Sequence, residues 1–163
     1  MKAALLIMLI VFSSCTIVGQ KAPIGDLKYL GNFYIIREDD FLKGWFSVFD
    51  SNGFTTRASG EAFLTIKDKS GRTVYHQKYS VLKEDFASLQ EITGEGTGEA
   101  YVFKIALDDI AASEFLTGKA YLRFKTADIT FPEVETVVFG LPRNQDIESE
   151  EIVPFEGCVA LRS

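Results

Sequence analysis

Between residues 61 and 68 the chain changes character at every position, with Ala62, Leu64 and Ile66 interleaved with Phe63, Thr65 and Lys67. Successive side chains of a strand point to opposite faces, whereas a helix repeats its apolar residues three and four apart. This period of two therefore predicts a strand that buries the first set and turns the second outward. The pattern recurs at 119–126, where Ala120, Leu122 and Phe124 oppose Tyr121, Arg123 and Lys125. At 100–107, Tyr101, Phe103, Ile105 and Leu107 share one face.

Turn chemistry separates such runs. Asp68-Lys-Ser-Gly71 follows the first, and 72–81 returns as its hairpin partner. Aromatic and β-branched residues dominate 29–36, 44–50 and 134–139, the last closed by Gly140-Leu-Pro142. Residues 83–86 read as a helical turn leading into 87–92. The stretch 94–98, Gly-Glu-Gly-Thr-Gly, breaks the chain, and 108–115 carries one further helical turn. About eight short strands, with no helical pattern long enough for a βαβ crossover, predict an all-β fold: an antiparallel two-sheet sandwich. At 163 residues, with 47% hydrophobic and 25% charged side chains, one folded domain is expected rather than a disordered chain.

The first fifteen residues behave differently. One cation, Lys2, precedes an unbroken apolar run from Ala3 to Phe12, then Ser13-Ser14-Cys15. Ten residues span about 15 Å as a helix, half a bilayer core, so the run reads as a signal h-region and not as a membrane span. Small residues directly before a cysteine resemble the lipobox of bacterial lipoproteins, with a departure at Phe12, where Leu, Val or Ile is usual. The resemblance implies cleavage before Cys15, lipidation of Cys15 and an extracytoplasmic, membrane-anchored chain. A plain secretory cut, for example after Gly19, and an uncleaved anchor are the alternatives. The expected organisation is a signal peptide at 1–15, a tether at 16–28, a sandwich at 29–142 and an extension at 143–163. That extension begins acidic and ends apolar; it is read as an added edge strand, with a disordered tail or a strand lent to a partner as the alternatives.

Only Cys15 and Cys158 are present, so the chain is no disulfide scaffold and holds no C-x-x-C metal motif. If Cys15 is lipidated, Cys158 is an unpaired thiol; if both survive, they can pair. The formal net charge of −6, without a clustered run of Lys or Arg, disfavours nucleic acid as a partner.

Catalytic groups are scarce. His76 is the sole histidine, sits mid-strand, and has no Gly-x-Ser-x-Gly elbow to work with. Asp50-Ser-Asn-Gly53 and Asp68-Lys-Ser-Gly71 suit turns better than calcium, because neither offers the alternating oxygen ligands of a calcium loop. Glu95, Glu99, Asp108 and Asp109 are read as acidic loop residues rather than as a glycosidase pair. No cofactor, metal or enzymatic activity is expected.

The aromatics are the most informative side chains, 21 of 163 residues. Phe63 and Tyr121 fall on outward faces and, with Trp45, form the candidate binding surface, against the alternative that these rings are core or edge packing. Trp45-Phe-Ser-Val-Phe-Asp50, the 68–71 hairpin with Val74-Tyr75, Ala100-Tyr101, Ala120-Tyr-Leu122 and Gly140-Leu-Pro142 together are similar to immunoglobulin-like or fibronectin-like sandwich modules of exported prokaryotic proteins. The expected function is a non-enzymatic, surface-anchored module for protein interaction or structural support, with a carbohydrate-binding module second and a hydrolase last. Three or more coplanar exposed rings would favour sugar; an exposed apolar sheet edge would favour a protein partner.

Overall fold

The structure, a computed structural model, describes residues 26–143. The leader, Cys15, the tether up to residue 25, and the extension beyond Arg143 with Cys158 lie outside the described residues. Nine strands are described: β1 (Leu27–Glu38), β2 (Phe41–Asp50), β3 (Thr55–Thr56), β4 (Gly60–Asp68), β5 (Thr73–Val81), β6 (Phe86–Ser88), β7 (Glu99–Ala106), β8 (Thr117–Lys125) and β9 (Val134–Phe139). One short helix, α1 (Leu89–Thr93), lies between β6 and β7, and single 3-10 turns occupy Lys83–Asp85 and Leu107–Asp109.

The strands form two antiparallel sheets. Sheet A runs β1-β2-β7-β6, with β3 continuing beside β2, and sheet B runs β5-β4-β8-β9. The chain is the expected two-sheet, all-β sandwich. Its first strand starts at Leu27, two residues earlier than expected, and 86–93 splits into a strand and a helix instead of forming a single run.

Burial follows the alternation. Ala62, Leu64 and Ile66 of β4 and Ala120, Leu122 and Phe124 of β8 are at most 1% exposed, while the residues between them are half-buried or exposed. Sheet A contributes Leu42, Phe46, Val48, Phe103 and Ile105 to the same core. Phe46 of β2 meets Phe124 of β8 with ring centroids 5.4 Å apart, which joins the two sheets at the centre. Gly44 is part of this fit, because the Phe103 ring occupies the space a Cβ would need.

Two bulges shape β1. Asn32 and Phe33 together oppose Phe46, and Asn32 takes a φ of 49° to do so. The extra residue turns Phe33 and Ile35 inward while Tyr34 and Ile36 point out. At one end the two sheets are tied together, since the Arg37 guanidinium donates to the Gly140 carbonyl at 2.8 Å.

The two Asp-x-x-Gly loops are near copies of one another. Asp50 Oδ1 accepts from the backbone N–H of Asn52 and Phe54 at 2.9 and 3.0 Å, and Asp68 Oδ1 accepts from those of Ser70 and Arg72 at 3.0 and 3.1 Å. Gly53 and Gly71 follow with φ of 81° and 89°, the left-handed conformation that favours glycine. Both act as turns.

Candidate functional site

The outer face of sheet B holds Phe63 and Tyr121 on adjacent strands. Phe63 pairs with Arg123 across β4 and β8, and Thr65 pairs with Tyr121. Both rings are half-buried, and each lies beneath a cation: the Arg123 guanidinium is 5.4 Å from the Phe63 centroid and Lys67 Nζ is 5.5 Å from that of Tyr121. Phe63 and Tyr121 thus lie on one outer face as rings set among charges and not as a bare aromatic platform.

Those charges are predominantly positive. Lys78, Lys67, Lys119, Arg123 and Lys125 point outward on β5, β4 and β8, against Glu61 and Glu135. Lys67 and Lys119 stand directly opposite each other. Glu61 pairs with Lys78 and Glu135 with Lys119, each at 2.8 Å. The carboxylate keeps Lys119 charged to higher pH than usual, and the Lys78 ammonium lowers the Glu61 carboxyl below its ordinary value. At the end of this face an open pocket of about 430 Å³ is lined by Lys67, Lys69, Lys119, Tyr121 and Val137.

Asp68, at the rim of this pocket, is turned inward and its side chain is only 2% exposed. The Ser70 hydroxyl donates to Oδ1 at 2.5 Å, while the Ser113 hydroxyl and Arg72 Nε donate to Oδ2 at 3.0 and 3.3 Å. These donors, Ser70 first, outweigh the effect of burial and hold the carboxyl down to about 2. Its charge is committed to the loop.

Trp45 takes a different place from the one expected. It points to the outer side of sheet A, where Leu89 and Ile92 of α1 cover it, and it is only 9% exposed. Lys43 fixes the helix there by donating to the Ile92 carbonyl at 3.0 Å. Trp45 thus supports the surface from below. Tyr34 lies against it at 5.6 Å and is 52% exposed, and Tyr29 stacks on Phe49 at 4.7 Å with an interplanar angle of 5° and is 43% exposed. Phe49 also covers the bare backbone of Gly31. Sequence reading missed Tyr29 and Tyr34 as exposed rings, and also Phe54 and Phe139, 60% and 64% exposed. The alternation in β1 is broken by its bulges, which hid the direction of the two tyrosines.

A third feature is an open cleft of about 660 Å³ between the β5 edge and Lys104 of β7, lined by Tyr75, Tyr79, Gln77 and Asp109. The hydroxyls of Tyr75 and Tyr79 are 2.7 Å apart, and burial pushes both phenols up, Tyr79 furthest, so neither ionises near neutral pH. His76 faces away from this pair of rings, its Nδ1 2.9 Å from the Thr65 hydroxyl. Glu99 is ion-paired to Arg57 at 2.6 Å, and the turn 107–109 places Asp109 near the tyrosines and not beside Glu99 or Glu95. Among the described residues no three His, Cys, Asp or Glu side chains converge as metal ligands would.

No family model and no curated protein matches this sequence. Among solved structures the chain is similar to the chitinase ChiW of Paenibacillus sp. str. FPU-7, a cell-surface-expressed multi-modular enzyme, at 15% identity over 75% of this chain, with a TM-score of 0.41. It is also similar to MtrC of Shewanella baltica OS185 (12% identity over 72% of this chain, TM-score 0.40) and to the β-glucuronidase of Parabacteroides merdae (15% over 72%, TM-score 0.36). The chain spans 9%, 22% and 13% of those three structures, respectively. At such identities and scores the likeness says nothing about activity. What stands is a β-sandwich module with two differently furnished outer faces.

Proposed function

We propose that the chain is a non-enzymatic, membrane-anchored extracytoplasmic module for protein interaction or structural support, tethered through Cys15, whose partner docks on the outer face of sheet A. The observation that carries this reading is the pair Tyr29 and Tyr34. Each has one ring face packed on a fixed aromatic, Phe49 or Trp45, and remains 43% or 52% exposed. Pre-ordered aromatic side chains lose little entropy on binding and are the usual anchors of protein interfaces. Ile36, 44% exposed on the same strand, extends the apolar patch.

A photoreactive residue placed at Tyr34 of the full-length protein in its native cell envelope tests this. A discrete cross-linked adduct is expected from that position, lost in Tyr29→Ser and absent when the probe sits at Gln77 in the cleft. No adduct from 34, or equal adducts from both positions, would contradict the reading.

A second reading, a carbohydrate-binding module, is favoured by Tyr121, whose ring lines an open pocket of sugar size beside three lysines.

A further inference from the structure

We propose that the outer face of sheet B binds an acidic polysaccharide, with Lys67, Lys69 and Lys119 receiving its carboxylates and Tyr121 packing against a sugar ring. The proposal rests on the carbohydrate-binding reading and names the class of glycan.

Charge is the first argument. The outward residues of β5, β4, β8 and β9 carry five cations and two carboxylates, on a chain whose formal net charge is −6. The remainder of the molecule is therefore more acidic than the whole, and the positive charge is gathered on one face. Such a separation steers an anionic partner to that face and repels it elsewhere.

The second argument is the placement of two like charges. Lys67 and Lys119 are directly opposed across β4 and β8. Facing cations destabilise a sheet, and an anion bound between them removes the penalty. The neighbouring acids do not fill that role. Asp68 is turned inward to Ser70, Arg72 and Ser113. Glu135 reaches Lys119 only, in an exposed pair of the kind that contributes little and is readily exchanged for another anion. Lys67 rests on the Tyr121 ring, and a carboxylate bound to Lys67 would lie beside that ring.

Shape is the third. From Lys119 to Lys125 the outward positions of β8 recur about every 6.6 Å along roughly 20 Å of strand. A linear polymer lying along the strand meets Lys119, Arg123 and Lys125 in turn, whereas a single small anion meets only the pocket. Phe63 and Tyr121 are half-buried beneath cations, and Val137 and Phe139 on the neighbouring edge strand are 48% and 64% exposed, so the face sets ring surface beside its cations.

The test is binding of the full mature chain to polygalacturonate, to its fully methyl-esterified form, to polyphosphate and to phosphatidylglycerol vesicles. Polygalacturonate should bind, more weakly as salt rises, and the neutral ester should not. Lys67→Gln with Lys119→Gln should weaken binding by roughly tenfold or more, as expected for losing charged hydrogen bonds. Tyr121→Ala should weaken it as well. The double lysine variant removes the repulsive pair together with the exposed Lys119–Glu135 pair and the Lys67–Tyr121 contact, so its melting temperature should stay close to the parent's, and binding lost at unchanged melting cannot be ascribed to unfolding. Equal binding of acid and ester would overturn the charge assignment while leaving the carbohydrate reading intact. Failure to bind either polymer would remove both. Tight binding to polyphosphate or vesicles without polygalacturonate would show that the face serves a different anionic surface.

Discussion

The Ser113 hydroxyl donates to Asp68 Oδ2 at 3.0 Å inside the protein, across 45 residues of chain. Ser113 is fully buried and its backbone N–H donates to the Pro142 carbonyl at 2.9 Å, so this one residue ties the β4–β5 turn to the segment that follows β9. Because its donors hold Asp68 near 2, against an ordinary 3.8, the carboxylate stabilises the fold fully above about pH 4. That contribution is lost as pH falls through the native value. In acid titration followed by circular dichroism, Asp68→Asn should be less stable than the parent at pH 7, and the difference should shrink steadily between pH 4 and 2. Ser113→Ala should lower the melting temperature and move the acid transition to higher pH. A constant gap between parent and Asp68→Asn across that range would contradict this.

Gly44 lies under the Phe103 ring, where an added Cβ would come within 2.2 Å of Cζ. Gly44→Ala should therefore cost about 1–3 kcal/mol by overpacking. In denaturant unfolding, Phe103→Leu combined with Gly44→Ala should recover part of that loss, because the smaller side chain vacates the contact.

Trp45 is the sole tryptophan and is sealed by Leu89 and Ile92. Its emission should be blue-shifted and poorly quenched by acrylamide, and Leu89→Ala should shift it to the red. Trp45→Ala should destabilise the fold by about 3 kcal/mol, as expected for an aromatic ring buried beneath a single helix.

The architecture was legible where alternation was clean. Ala62, Leu64, Ile66 and Ala120, Leu122, Phe124 each face the core as their spacing predicts. Pairing was not, because β4 joins β8 some fifty residues away and nothing local in either strand names its partner. The opposed lysines became visible only once that register was known. The burial of Trp45 was missed for a different reason. A five-residue helix is too short for periodicity to detect, although Ser88-Leu-Gln-Glu91, in which Glu91 accepts from the Ser88 N–H at 3.4 Å, and the left-handed Gly94 were start and stop signals in plain view. Val74 and Tyr75 both turn inward because a register shift between Ile66 and Lys67 interrupts the alternation of β5.

The proposed anchor makes its own prediction. Protein extracted from native membranes should have an intact mass lacking residues 1–14 and carrying acyl groups, and Cys15→Ala should release it from the membrane fraction. An unmodified Cys15 would remove the anchor from the account.

The account depends above all on which side chains of β4 and β8 face solvent. Single cysteines placed from residue 119 to residue 124, in a soluble chain lacking Cys15 and Cys158, can be probed with a water-soluble thiol reagent. The account predicts fast labelling at 119, 121 and 123 and protection at 120, 122 and 124. The reversed pattern, or labelling with no period of two, would contradict it.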